Sequence, residues 1–73
     1  DEMFETIMLG LRLTEGIDKN EFFMRFGKKI EVLYKDVISK LKYEGLLIED
    51  EKAIKLTERG MDVQNLVLLS FME

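Results

Sequence analysis

The sequence lacks three residue types on which much of protein chemistry depends. Among its 73 residues there is no cysteine, no histidine and no proline. Without cysteine there is no disulfide, no thiolate nucleophile and no thiolate ligand for zinc or an iron–sulfur cluster. Without histidine the chain has neither the usual general base nor the commonest metal ligand. These absences argue against a self-contained enzyme.

Long apolar runs and an excess of positive charge are also missing. The longest apolar run is residues 66–69 (LVLL), whereas a bilayer-spanning helix needs about 20 apolar residues. Fifteen acidic residues outnumber eleven basic ones, which disfavours binding to a phosphate backbone. No secretory signal is recognisable at the start, where the first Met is residue 3. We therefore expect one cytoplasmic domain over residues 1–73, excised from a longer protein.

The first part of the sequence predicts two helices and a turn. Apolar residues recur at helical spacing in the first helix: Phe4, Ile7, Met8 and Leu11. We expect this helix to end near Arg12 or Leu13. Asp18 is a typical N-cap for a second helix, and Gly27 is a typical C-terminal stop. Phe22 and Phe26 lie four residues apart on the second helix, with Phe23 adjacent, and the three rings are predicted to anchor the core. The alternative is an aromatic platform for a planar ligand or base.

The rest of the sequence predicts a long helix, a hairpin and a final helix. The third helix has six apolar residues on one face: Ile30, Leu33, Tyr34, Val37, Ile38 and Leu41. Gly45 ends it, and residues 46–49 and 53–57 then read as the two strands of a hairpin. Thr57 is a natural N-cap for the last helix, and Gly60 would permit a neighbouring backbone to approach closely. Because the second half of this helix is apolar on nearly all sides, we expect part of it to form an interface.

The order of elements predicts a mainly helical fold with one β-hairpin, in a winged-helix-like arrangement. Winged helices often bind DNA through the third helix and the hairpin. Here residues 28–44 carry five lysines against three acids, and the hairpin turn at residues 50–52 is net negative. A DNA-binding wing typically carries cations that contact phosphates. We therefore expect no nucleic-acid partner, and a protein-docking module remains the alternative to DNA binding.

Two stretches of the chain together resemble one protein family. Residues 8–13 (MLGLRL), followed by residues 15–17 (EGI), resemble the opening of the C-terminal domain of oxygen-independent coproporphyrinogen III oxidase-like proteins. Residues 56–65 (LTERGMDVQN) resemble the end of that domain. The middle also fits, with Phe26-Gly27 before the long helix and Glu44-Gly45 after it. The Leu-Thr-x-x-Gly piece alone is weak, but the two stretches in this order are more specific.

The resemblance implies that the parent is a radical S-adenosylmethionine protein of heme biosynthesis. Its catalytic barrel would hold a four-iron cluster and S-adenosylmethionine, and both would lie outside this cysteine-free chain. One branch of the family oxidatively decarboxylates coproporphyrinogen propionates, so the parent would be an enzyme although this fragment is not. The other branch resembles a heme chaperone that delivers heme, and the opening of residues 8–13 favours it. In either branch this domain would pack on its own barrel near the tetrapyrrole site.

The same resemblance suggests two candidate ligand-binding residues, Arg12 and Arg59. A guanidinium matches a propionate carboxylate in a bidentate pair, which makes Arg12 the stronger candidate. The alternative is that Arg12 forms a structural salt bridge with an acid of this domain or of the barrel. Arg59 would add to an anionic site at the start of the last helix. We expect no catalytic residue and no metal ligand in this chain.

Overall fold

Six helical segments and three short strands make up residues 2–72, the part of the chain that our computed structural model describes. They follow one another in this order: α1 (Glu2–Arg12), β1 (Ile17–Asp18), α2 (Lys19–Phe26), α3 (Ile30–Leu33), α4 (Lys35–Tyr43), β2 (Leu47–Glu49), β3 (Ala53–Leu56), α5 (Glu58–Asp62) and α6 (Gln64–Met72). The prediction of a mainly helical domain containing a hairpin is confirmed. The winged-helix arrangement itself stays a prediction.

The strands form one antiparallel sheet with β3 in the middle. The predicted hairpin is present, with Leu47 of β2 opposite Leu56 of β3. On the other edge of β3, Ile17 of β1 lies opposite Ile54. The prediction of a two-stranded hairpin therefore missed a third strand, β1. Strand β1 has only two residues, so no alternating pattern marks it, and its partner lies more than thirty residues further along the chain.

Two predicted helices are each interrupted at one residue. The third helix is interrupted at Tyr34, which has φ −117° and ψ 33°. The last helix is interrupted at Val63, with φ −123° and ψ 34°. Helical hydrogen bonds start again at each of these residues, from Ile38 N to Tyr34 O (2.9 Å) and from Val67 N to Val63 O (3.2 Å). The predictions of two continuous helices were wrong here, and Leu33, expected on the buried stripe, is 41% exposed.

The predicted helix caps are confirmed. Asp18 Oδ1 accepts a hydrogen bond of 2.8 Å from the backbone N of Glu21. Gly27 ends α2 with a left-handed φ of 70°. Thr57 Oγ1 accepts a hydrogen bond of 2.9 Å from Gly60 N. Each contact satisfies a backbone donor or acceptor that a helix end leaves unpaired. The two partners of each contact lie within one helical turn of each other, so the contacts are local in sequence.

The core lies between the sheet and the long helices. Its buried residues, all apolar, are Ile7, Leu11, Ile17, Phe22, Ile30, Ile38, Leu41, Leu47, Ile54, Val67, Leu68 and Phe71. The rings of Phe22 and Phe26 lie 4.8 Å apart, as expected of core anchors. The prediction was wrong for the neighbouring Phe23, which is 43% exposed. Residues from α1, α4, α6 and all three strands contribute to this core, so the final helix belongs to the folded unit.

Candidate functional site

Arg12 and Arg59 both lie on the surface. Arg12 is the last residue of α1, and Arg59 is the second residue of α5. Both are exposed. Within residues 2–72, neither guanidinium takes part in an ion pair or a hydrogen bond. A structural salt bridge from Arg12 to an acid of this domain is thus not formed among the described residues, which leaves Arg12 accessible to a ligand or to another part of the parent protein.

The local structure gives Arg59 less support than the sequence suggested. The expected anionic site required the free N-terminus of a long final helix. The break at Val63 leaves α5 with only five residues, Glu58–Asp62. The side chain of Thr57 already accepts a hydrogen bond from Gly60 N at that end. The helix dipole and its free donors therefore add little to an anion site beside Arg59.

A concave surface lies elsewhere, between α1 and α2. This α1–α2 groove has a volume of about 360 Å³. Its lining residues are Thr6, Leu9, Gly10, Leu13, Glu15, Gly16, Ile17, Asp18, Glu21, Phe22, Arg25 and Ala53. Neither Arg12 nor Arg59 is among them. The structure does not bring the two predicted site residues together in this groove.

Close packing of α1 on β1 forms the floor of the groove. A Cβ added at Gly10 would lie 2.6 Å from Ile17 Cγ1, so α1 approaches the strand as closely as a glycine permits. Gly16 has φ +78°, and a Cβ there would meet the backbone of Ile54. Ile17 and Phe22 are buried beneath the groove. The spacing of these glycines in the sequence does not by itself indicate a groove.

The walls of the groove combine exposed leucines with carboxylates. Leu9 on α1 and Leu13, the first residue after that helix, are each 59% exposed. Glu15, Asp18 and Glu21 face a single cation, Arg25, among the lining residues. Three carboxylates against one guanidinium make the lining net negative. The groove is thus apolar and anionic together, which is unfavourable for a phosphate or propionate group.

A second exposed apolar surface runs along α6. Leu66, Leu69 and Met72 recur every three residues and are 62%, 54% and 64% exposed. The opposite side of α6 is fixed in the core by Val67 and Phe71. We call Leu66, Leu69 and Met72 the α6 stripe. Its exposure agrees with the expected interface on the last helix, because rows of exposed apolar residues commonly mark contact surfaces.

The densest acidic cluster, residues 49–51, is structural. Glu49 lies between two lysines, with Lys19 Nζ 2.7 Å from Oε2 and Lys42 Nζ 3.0 Å from Oε1. The hydrogen bond from Lys19 lowers the pKa of Glu49 most, burial opposes it, and Lys42 lowers it further. Asp50 organises the hairpin turn by accepting hydrogen bonds from two backbone N–H groups, which lowers the pKa of Asp50. Within residues 2–72 no group of three or more acidic residues is arranged to hold a metal ion.

Comparison with known proteins decides the family. Residues 1–63 match the HemN C-terminal domain, which covers most of the chain. The chain belongs to the HemN C-terminal domain family. This confirms the resemblance to the C-terminal domain of coproporphyrinogen III oxidase-like proteins. The matched residues include α1 to α5, whereas α6 and its stripe follow them.

Two curated relatives of this HemN C-terminal domain carry the same name. The chain is 32% identical over 72 residues to the heme chaperone HemW of Bacillus subtilis (strain 168), covering 99% of this chain and 19% of the relative. It is 32% identical over 68 residues to the heme chaperone HemW of Lactococcus lactis subsp. lactis (strain IL1403), covering 93% of this chain and 18% of the relative. The chain thus spans about a fifth of the length of the relatives it matches. No solved structure matches it.

The described helices of this HemN C-terminal domain are all short. Among residues 2–72, none combines the length and the apolar character that crossing a bilayer requires. The cytoplasmic location stays a prediction.

Proposed function

We propose that this chain is an accessory domain of a HemW-like heme chaperone, within the radical S-adenosylmethionine family that also contains coproporphyrinogen III oxidases. The observation that carries the proposal is the 32% identity to the Bacillus subtilis heme chaperone across 99% of the chain. The HemN C-terminal domain match supports an accessory position in the parent protein. A decarboxylating oxidase remains the second candidate, because the family match over residues 1–63 fits both branches.

The cofactors of such a parent do not fit the residues of this chain. A four-iron cluster needs cysteine thiolates, and the sequence contains no cysteine. Heme iron is held in most proteins by histidine or cysteine, and both are missing. We therefore assign the cluster, S-adenosylmethionine and any iron ligand of heme to the remainder of the parent chain.

The proposed role of this domain is to pack on that remainder. The α6 stripe is the surface best suited to it, because Val67 and Phe71 fix the opposite side of α6 in the core. The curated relatives are about five times as long as this chain. A parent of similar length would contain a large covalently linked partner for this domain. Docking would remove Leu66, Leu69 and Met72 from water, at roughly 25 cal/mol of stabilisation per Å² of apolar surface.

Arg12 is the residue proposed to contact the tetrapyrrole. Its guanidinium is exposed and has no ion-pair partner within residues 2–72. A bidentate pair with a propionate would orient the macrocycle without contact to the iron. Arg59 is kept as a weaker second contact, since α5 offers it no free helix end.

A titration tests the proposed role of Arg12. Hemin and coproporphyrin are added to the 73-residue chain and to its full-length parent, with duplex DNA as a separate ligand. We expect saturable hemin binding by the parent to weaken by about tenfold in Arg12→Ala, which corresponds to about 1.4 kcal/mol. Arg25→Ala is the matched control, because it removes an exposed arginine that lies in the α1–α2 groove. Equal affinities of Arg12→Ala and the wild type would reject the contact, and salt-sensitive DNA binding would favour the nucleic-acid alternative.

A further inference from the structure

We propose that the α1–α2 groove binds a basic amphipathic segment of a partner protein, in which leucine-like side chains alternate with lysine or arginine. The residues that line this groove include neither Arg12 nor Arg59, nor any residue of the α6 stripe. It does not depend on heme handling.

The shape of the groove suits a polypeptide. Leu9 on α1 and Leu13, the first residue after that helix, both line it. Glu21 and Arg25, one turn apart on α2, line it as well. Two helices with a strand beneath them make an open trough, and grooves of this kind accept the apolar side of a helix or an extended segment. A volume of about 360 Å³ holds a few side chains.

Two leucines that line the groove remain exposed. Leu9 and Leu13 are each 59% exposed, whereas Ile17 and Phe22, which also line the groove, are buried. An apolar side chain placed against Leu9 and Leu13 would bury surface on both partners.

The charges specify the chemistry of the occupant. Glu15 and Glu21 have no ion-pair partner within residues 2–72. Asp18 uses one carboxylate oxygen to cap α2 but keeps its negative charge. The Arg25 guanidinium lies 5.4 Å from the centre of the Phe26 ring, to which it is held by a cation–π contact. A lysine or arginine flanking the apolar side chains would meet the unpaired carboxylates, whereas an anionic ligand would be repelled.

A labelled peptide tests the proposal. The probe is a fluorescent 14-residue peptide of leucine and lysine at helical spacing, and its counterpart has glutamate in place of lysine. We expect the lysine peptide to bind the 73-residue chain saturably, and the glutamate peptide to show no binding. Binding of both peptides with equal affinity, or of neither, would overturn the proposal.

Matched variants separate the groove from general attraction to an acidic protein. Leu9→Gln with Leu13→Gln should weaken binding at least tenfold, while Leu66→Gln with Leu69→Gln should change it less than threefold. All four side chains are exposed, and thermal melting confirms that each variant is folded. If the α6 variant loses as much affinity as the groove variant, the groove is not the binding site.

A second pair of variants tests the charge argument. Glu15→Gln with Glu21→Gln should weaken binding at least tenfold, with a larger loss at low salt. Glu44→Gln with Glu58→Gln removes the same charge from exposed positions outside the groove and should have less than a threefold effect. Equal losses in the two double variants would show that binding follows net charge alone and would overturn the proposal.

Two further readouts identify other occupants. Light scattering across a concentration series would reveal a dimer, and a dimer abolished by the Leu9 and Leu13 substitutions would assign the groove to a second copy. Amide chemical shifts are recorded while hemin is titrated into the chain. Shift changes centred on Leu9 and Ile17 would assign the groove to the tetrapyrrole. Either result would overturn the peptide proposal. We expect a monomer, with peptide-induced shifts centred on Leu9, Leu13 and Glu21.

Discussion

The Lys19 ammonium lies 2.7 Å from Oε2 of Glu49, and this contact ties the start of α2 to strand β2. Lys42, near the end of α4, lies 3.0 Å from the other carboxylate oxygen. One partly buried glutamate thus connects three elements. We expect Glu49→Gln to lower the free energy of unfolding by roughly 1 kcal/mol, because both lysines lose their charged partner. Denaturant titration measures the loss, and the exposed Glu51→Gln serves as the control, with a change within about 0.5 kcal/mol.

The same carboxylate makes stability depend on pH. The folded state lowers the pKa of Glu49 below its value in the unfolded chain, chiefly through the hydrogen bond from Lys19. The contribution is therefore complete above the unfolded pKa of about 4.3 and is lost as the pH falls through the lowered folded pKa. Melting curves of the wild type and Glu49→Gln between pH 7 and pH 3 should converge at the acidic end. A constant difference across that range would show that the ion pairs contribute nothing.

Gly60 is expected to tolerate no side chain. A Cβ at this position would overlap the carbonyl group of Leu46 and lie 3.1 Å from Leu56 Cδ2. The Leu46 carbonyl also accepts a hydrogen bond of 3.1 Å from Thr57 N, so it cannot move freely. Helix propensity alone would make Gly60→Ala stabilising by up to about 1 kcal/mol. We expect instead a loss of about 1–3 kcal/mol from overpacking, measured by chemical denaturation.

Gly10→Ala is the comparison for that substitution. Its added Cβ would meet the Ile17 side chain, 2.6 Å from Cγ1, rather than a backbone carbonyl. A side chain can shift more easily than backbone, so Gly10→Ala should be destabilised less than Gly60→Ala. The reverse order would contradict the packing described here.

Thr57 joins the hairpin to the helix that follows. Its Oγ1 accepts a hydrogen bond from Gly60 N at 2.9 Å and donates one to Gly45 O at 2.7 Å. Thr57→Ala should cost about 1–2 kcal/mol of stability, while Thr57→Ser keeps the hydroxyl and should retain most of it. Thermal unfolding of the two variants compares them directly. Equal melting temperatures for the alanine and serine variants would exclude a role for the hydroxyl.

The sequence predicted the local features of this fold better than the distant ones. Asp18, Gly27 and Thr57 were identified as caps because a cap depends on residues within one helical turn. Strand β1 was missed because two residues carry no alternation, and only the distant β3 defines it. The helix interruptions at Tyr34 and Val63 occur without glycine or proline, so no local sequence signal marks them.

The functional surfaces were predicted only in part. The exposed stripe of α6 followed from a helix that is apolar on nearly all sides. The α1–α2 groove was missed because the apolar pattern of α1 does not show which residues outside that helix lie beside Leu9. Arg12 and Arg59 are exposed as a ligand contact requires, but their proposed role depends on a partner outside this chain.

A heme-transfer assay on the full-length parent tests the central claim most directly. Hemin-loaded parent is mixed with apomyoglobin, and the transfer rate is followed by absorbance for the wild type and for Leu66→Gln with Leu69→Gln. Our account predicts that the isolated 73-residue variant melts like the wild type, whereas the variant parent transfers heme at least tenfold more slowly or fails to retain it. Unchanged retention and transfer in the variant parent would contradict docking through the α6 stripe. Unchanged heme retention and transfer after removal of the whole domain would contradict an accessory role in heme delivery.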